Sequence, residues 1–322
     1  MRGRAALLAA LPALAAPVAA GALDLELPID CTLGQDCYIQ QFLDHDPGPA
    51  ARDFMCGTLS YDGHEGTDFG IPTLADMARG VPVLAAAPGE VKGTRDGMPD
   101  IVMGSAGAPD IAGRECGNGV LIRHDGGWET QYCHLREGSV AVRPGDIVAA
   151  GDRLGLVGLS GMTEFPHVHL TVRRDGLPVD PFAPDGTPAC GALPPATLWA
   201  DPPASAQGGL LRAGFADEVP DYDAIKAGTA IAPPVQGSAL VLWGYFYGGR
   251  TGDRVELTIT GPAGEFIRHV VDLEGTQGLF FRAAGRRAPE GGWPAGAYQG
   301  DIRLVRAGAE IDAERIALTL GD

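Results

Sequence analysis

Turn-forming residues interrupt this chain so often that long helices have no room. Glycine and proline supply 48 and 26 of its 322 residues, and between them lie short runs rich in β-branched and aromatic residues. "VPVLAAAPGEV", "GVLIRHDGGWETQYCHL", "DIVAAGDRLGLVGL" and "HVHLTVRRDGLPVDP" are separated by turn signals such as "HDGGW", "RPGD" and "RDG", the pattern of antiparallel strands joined by hairpins. "TLADMA" is the best short helical candidate. The expected fold class is therefore mainly β, an antiparallel sheet domain over residues 23–190 followed by a small Ig-like β-sandwich over 212–322. Between them, the Pro- and Gly-rich stretch 191–211 lacks periodicity and reads as a linker. The length is ample for two such domains.

The first residues, "MRGRAALLAALPALAAPVAAGA", run from Arg2 and Arg4 through a short Ala/Leu stretch to small residues at 20–22. This is the pattern of a signal peptide over 1–22, since the apolar stretch is short and broken by Pro12 and Pro17. It predicts export to the periplasm or the extracellular space, with no membrane span in the mature chain. Export changes the reading of the six cysteines, Cys31, Cys37, Cys56, Cys116, Cys133 and Cys190, which become a disulfide framework. None makes a zinc-type C-x2-C pair. Six cysteines allow about fifteen pairings, and only Cys31 with Cys37, six apart in "CTLGQDC", suggests itself as a local bridge.

The formal charge is −17, and loss of Arg2 and Arg4 with an acid-free leader takes it to −19. Such a surface repels nucleic acid and anionic lipid, both of which require a basic footprint.

Two of the seven histidines stand one residue apart in "EFPHVHLTV". Positions i and i+2 of a strand share a face with Cα atoms about 6.6 Å apart, so His167 and His169 point one way and Val168 and Leu170 the other. The pair suits two ligands of one metal, or one ligand beside an acid/base group. A second cluster lies in "YDGHEGTDFG", where His64 and Asp68 are four apart among glycines that argue against a helix. On a straight strand they would be about 13 Å apart, so Gly66 is expected to bend the chain between them. With His169 they form a His/Asp/His set that leaves a fourth position for water, the composition of a catalytic zinc site. In the strand that ends "QYCHL", simple alternation places Tyr132 and His134 on one face and Cys133 on the other.

Together these segments resemble the lysostaphin/LytM-type zinc metallopeptidases, a family of peptidoglycan endopeptidases. The family's signature is an H-x3-D segment, a G-x-G-N-x-V-x-I-x-H hairpin ending in Y-x-H-L, and a terminal H-x-H strand. Here they read "HEGTD", "GNGVLIRHDGGWETQYCHL" and "HVH", in that order, and the likeness spans roughly residues 60–182. The resemblance implies a LytM-type zinc peptidase domain over 23–190. It makes His64, Asp68 and His169 ligands of Zn2+, and His134 and His167 catalytic imidazoles, His167 as base and His134 as oxyanion stabiliser. It implies hydrolysis of peptide crosslinks or stems of peptidoglycan. Two alternatives stay open: a catalytically silent activator of another cell-wall hydrolase, and an exported metalloprotease acting on proteins. Members of the silent kind generally lack ligands or catalytic histidines, and this chain keeps all five. A cell-wall partner could also dock on the C-terminal domain.

The chain departs from the family at "FPHVHLTV", where Phe165, Val168, Leu170 and Thr171 replace Gly, Leu, Phe and Glu. It also has a long insertion at about 93–115, expected to border the groove without supplying a ligand. His124 reads as structural, and His45 and His269 lack partners at ligand spacing. "DHDPG" and "DGMPD" lack the ligand count of a calcium loop. Trp243, Tyr245 and Tyr247 alternate on one face of a strand, which core packing explains as well as ligand binding.

Overall fold

A computed structural model describes residues 23–321 except 187–188, 191–193 and 231. The expected signal peptide, 1–22, lies outside the described residues. The first part of the chain forms β1 (Tyr38–Gln41), β2 (Thr67–Gly70), helix α1 (Leu74–Arg79), β3 (Pro82–Leu84), β4 (Gly89–Arg95), β5 (Asn118–Arg123), β6 (Trp128–Leu135), β7 (Ile147–Val148), β8 (Arg153–Leu156), β9 (His167–Arg174) and β10 (Leu177–Pro178). Eight of these strands make one sheet in the order β1-β2-β9-β6-β5-β4-β7, with β10 beside β9, and β3 pairs with β8 in a small second sheet. All named pairs are antiparallel, as the hairpin signals predict. "HDGGW" turns β5 into β6, with Gly126 and Gly127 at φ 73° and 81°, a conformation that glycine adopts without penalty.

One face of the large sheet is a dry core. Val168, Leu170 and Val172 of β9 lie there with Phe69, Tyr132 and Ile122, each aliphatic side chain stabilising the fold by about 1.5–3 kcal/mol. Period two then puts His167, His169 and Thr171 on the opposite, cleft-facing side. The helix expected at "TLADMA" is α1, where Thr73 caps the N-terminus by accepting from the Asp76 N–H.

The later part forms β11 (Gly209–Ala216), helix α2 (Tyr222–Ala227), β12 (Leu240–Gly249), β13 (Arg254–Gly261), β14 (Gly264–Asp272), β15 (Gln277–Arg286), β16 (Gly296–Arg306) and β17 (Ala309–Leu320). Sheet β11-β12-β15 faces sheet β14-β13-β16-β17 across a core that includes Leu242, Phe246, Leu257, Ile259 and Ile302. The opposite face of β12 carries the aromatic alternation seen in the sequence. Tyr247 lies 4.6 Å from Tyr38 of β1, ring centre to ring centre, and Tyr245 lies 6.1 Å from Tyr222 of α2. The alternation is thus packing, but of a sheet buried on both faces, one of them against the edge of the first sheet. The stretch read as a linker carries packed structure among its described residues. Leu198 and Trp199 pack into the first core, and β11 begins at Gly209, inside that stretch.

Three disulfides join Cys31–Cys37, Cys56–Cys190 and Cys116–Cys133. The first is the local bridge the spacing suggested. The other two pair cysteines brought together only by the fold.

Candidate active site

The site forms where β2, β9 and β6 lie side by side. Asp68 of β2 is the register partner of His169 on β9, so both side chains rise from the same face about one strand spacing apart. His64 lies just before β2, placed by its N–H donating to Tyr61 O and by its ring Nδ1–H donating to Phe42 O at 2.8 Å. Gly66 is required between them, though not as a left-handed bend. A Cβ there would lie 2.6 Å from His169 Nε2 and from Leu170 O, so glycine permits the close approach of the His64 loop to β9.

These placements bring three donor atoms together. His64 Nε2 is 3.2 Å from Asp68 Oδ1 and 3.1 Å from His169 Nδ1, and His169 Nδ1 is 2.8 Å from Asp68 Oδ1. A tetrahedral ion with bonds of about 2.0–2.1 Å separates its ligand atoms by about 3.3 Å, so the triangle suits zinc with little movement. The donor chemistry also fits. His64 commits Nδ1–H to a carbonyl, and His169 Nε2 lies 2.9 Å from Thr171 Oγ1, which leaves the other nitrogen of each ring to offer a lone pair inward. Thr171, where the resembling family carries Glu, thus keeps an oxygen partner for His169. Among the described residues this trio is the one metal-type cluster whose members are not disulfide-bonded.

Electrostatics follow from the crowding. Burial alone would raise the Asp68 carboxyl, but the His64 and His167 charges, with hydrogen bonds from His169 and His64, hold it well below the usual carboxylate range. Burial pushes the His64 imidazole down, and the Asp68 charge and hydrogen bond more than offset this, raising it above the ordinary value.

His167 and His134 stand beside the trio, with rings 4.6 Å apart. His167 Nδ1–H donates to Phe165 O at 2.9 Å, and its Nε2 lies 3.5 Å from Asp68 Oδ1. His134 Nδ1–H donates to Ser160 O at 2.8 Å. Both neutral rings therefore carry their lone pair on Nε2. Burial, reinforced by the charges of His167 and His169, sets the His134 imidazole well below its ordinary value, and burial lowers His167 despite the attraction of Asp68.

Here the structure corrects the alternation read from the sequence. Tyr132 points into the core, its hydroxyl accepting from the Ala86 N–H, and Cys133 is the one opposite His169. His134 nevertheless joins the site face, because its φ is +62° and a bulge intervenes. Asn118 pairs with Leu135 while Val120 pairs with Tyr132, so β6 holds an extra residue there. The Cys116–Cys133 disulfide precedes the bulge, and the His134 N–H donates to Cys116 O at 2.8 Å. A non-glycine residue in the left-handed region is costly unless its surroundings enforce it, and these contacts do so.

The cleft over the site has two arms of about 440 and 290 Å³ that share Tyr61, His134 and Met162. Tyr61, 4.5 Å from the His64 ring and 47% exposed, and Phe165, stacked on His167 at 4.3 Å, are site residues without a metal-ligand type to betray them in sequence. The long insertion borders both arms, one through Met103 and the other through Glu115. Its base is pinned by Asn118, whose amide brackets the Met98 N–H and carbonyl, and by Asp100, which accepts from Glu137 N and Leu159 N. It supplies none of the three metal-type donors. The remaining sequence candidates lie elsewhere. His124 bonds to Pro88 O and Thr130 Oγ1 as a structural residue, His45 pairs with Asp180 at 2.6 Å, and His269 lies on β14.

Residues 62–181 match the model of Peptidase family M23. This segment is an M23 domain. It is 35% identical over 122 residues to the DD-carboxypeptidase/endopeptidase Mpg of Neisseria meningitidis, covering 37% of this chain and 22% of that protein. It is 32% identical over 117 residues to the peptidoglycan DD-endopeptidase ShyA of Vibrio cholerae, covering 36% and 22%. The cell division protein DipM of Caulobacter vibrioides is 33% identical over 109 residues, covering 32% and 15%. The chain thus spans about a fifth of the length of the curated relatives it matches. His64, Asp68, His134, His167 and His169 all fall inside the matched segment.

Proposed function

We propose that the chain is an exported zinc metalloendopeptidase that hydrolyses peptide crosslinks or stems of peptidoglycan. The observation that carries this reading is the convergence of the His64, Asp68 and His169 donors beside two imidazoles with inward lone pairs, within a domain type whose named relatives include peptidoglycan DD-endopeptidases. Zinc held by the trio would supply a Lewis acid for the scissile carbonyl and a water acidified to a pKa of about 7. His167 could accept a proton at Nε2 as general base, since the Asp68 carboxylate 3.5 Å away would stabilise the resulting imidazolium. His134 can donate to an oxyanion only after gaining a proton at Nε2, since its Nδ1–H remains committed to Ser160 O. Ser160 and Phe165 carbonyls fix both rings so that neither must reorient during the reaction.

The signal-type residues 1–22 support delivery to the compartment where the wall lies. The order β11-β12-β15 facing β14-β13-β16-β17 supports an Ig-like reading of residues 212–322, with 23–190 as the peptidase domain, 191–211 as the connection, and a cell-wall partner as a candidate occupant of the later domain. Purified protein should release muropeptides from isolated sacculi, stop on chelation and digest casein poorly. Faster casein digestion would favour a general protease. Stimulation of a separate hydrolase by zinc-loaded protein that leaves sacculi unchanged would favour the silent activator.

A further inference from the structure

The first and second halves of the chain enclose a cavity of about 460 Å³ that shares no lining residue with the two arms of the active-site cleft. It lies between α1 on one side and β11, α2 and β12 on the other, and its size is that of a small-molecule site. Trp243, Ile225, Ala230 and Pro233 give it an apolar wall. Arg79, Arg212 and Asp76 line its polar side.

The polar groups offer donors and no spare acceptor. Asp76 is buried, and its carboxylate accepts from Thr73 Oγ1 at 2.5 Å, from Arg212 Nη2 at 3.1 and 3.2 Å, and from Arg79 Nη2. Two guanidiniums thus share the one carboxylate that lines the cavity, with Glu314 also within the field of Arg212. The Arg79 side chain is 69% exposed and has further N–H groups to give. Trp243 is 6% exposed, and its Nε1 is buried without a hydrogen-bond partner, an arrangement that normally marks a missing acceptor. The facing residue is Gly214, which also lines the cavity, and a Cβ there would come within 2.9 Å of that nitrogen. Glycine therefore lets the indole seat directly against β11, where a larger residue would push it into the cavity.

We propose that this cavity is a binding site for a small organic acid, with an aromatic or branched body against Trp243 and Ile225 and its anionic group on Arg79 and Arg212. An amine or zwitterion is disfavoured because Asp76 has no acceptor left for an ammonium group. The site is independent of the peptidase reading, since none of its residues touches the metal-type trio.

Calorimetry on the full mature chain tests it with three acids, 3-phenylpropionate, isocaproate and phenyl phosphate, beside the neutral 3-phenylpropanol. At least one acid should bind one to one, and about tenfold more tightly than the alcohol, with Arg79→Gln weakening it about tenfold as expected for a lost charge-assisted contact. Trp243→Phe, which keeps an aromatic wall, should leave it nearly unchanged. Binding should be unchanged by chelator and by His169→Ala. Absence of saturable heat with all three acids, equal affinity for the alcohol, indifference to Arg79→Gln, or loss of binding on chelation would each overturn the proposal, the last by assigning the acid to the metal centre.

Discussion

His64 and His169 each hold one ring nitrogen against a protein oxygen and turn the other toward Asp68, whereas His167 and His134 hold Nδ1 against carbonyls and stand one step back. That division predicts different losses. His169→Ala should abolish stoichiometric zinc by metal analysis, while His167→Ala should retain it and lose about 10²-fold or more in activity, the scale of general acid/base catalysis. Equal zinc loss in both would mean the two are wrongly assigned. His124 gives a pH prediction away from the site. Burial lowers its imidazole below the ordinary value, so the unfolded chain binds its proton first. The stability that neutral His124 contributes is fully present above about pH 6.5 and falls as pH drops through and below that value. Denaturant midpoints between pH 7.5 and 5.5 should show the decline, and His124→Gln should flatten it. The ligand residues were legible because ligand type and period-two spacing are written in the sequence. The face of His134 was not, because a left-handed φ at a non-glycine residue is enforced by long-range contacts that carry no local signal.

At the scale of elements, the end of β6 is held by a clamp: the Cys116–Cys133 bridge, the His134 N–H to Cys116 O, and the Ser160 hydroxyl donating to Leu135 O while accepting from Asn118 N. Replacing Cys116 and Cys133 together by Ser should cost about 2–4 kcal/mol in stability. At a temperature where the variant remains folded, it should keep zinc and lose about tenfold in kcat, with a smaller effect on KM, because misplacing one group by a fraction of an ångström harms the reaction more than binding. Zinc analysis with steady-state kinetics separates this from general unfolding. The strands and the helix α1 could be read from punctuation and periodicity. The bulge, the second helix α2 and two of the disulfides could not, since each depends on which distant segments meet.

For the molecule as a whole, the edge of the eight-stranded sheet is covered by the later sheets. β1 pairs with β2, which carries Asp68, and β1 is in turn packed through Tyr38 against Tyr247 and through the Gln40 side chain, which donates to Gly278 O. Tyr247→Ala should therefore destabilise by about 3 kcal/mol in denaturant unfolding while leaving zinc content unchanged in the folded protein. From the sequence, Tyr247 was an alternating aromatic with no visible partner, because the partner stands more than two hundred positions away. The nesting of the Cys116–Cys133 bridge inside the loop closed by Cys56–Cys190 bears on how the chain is made. Cysteines oxidised in the order they emerge would join Cys31 to Cys37 correctly, then Cys56 to Cys116, stranding Cys133 with Cys190. Reaching the native pairs then requires thiolate exchange to hand Cys116 over to Cys133. Secretion without an isomerase should accumulate the 56–116 and 133–190 species on non-reducing peptide maps, and supplying an exchange catalyst should convert them, so the yield of this protein is set by disulfide proofreading more than by oxidation itself.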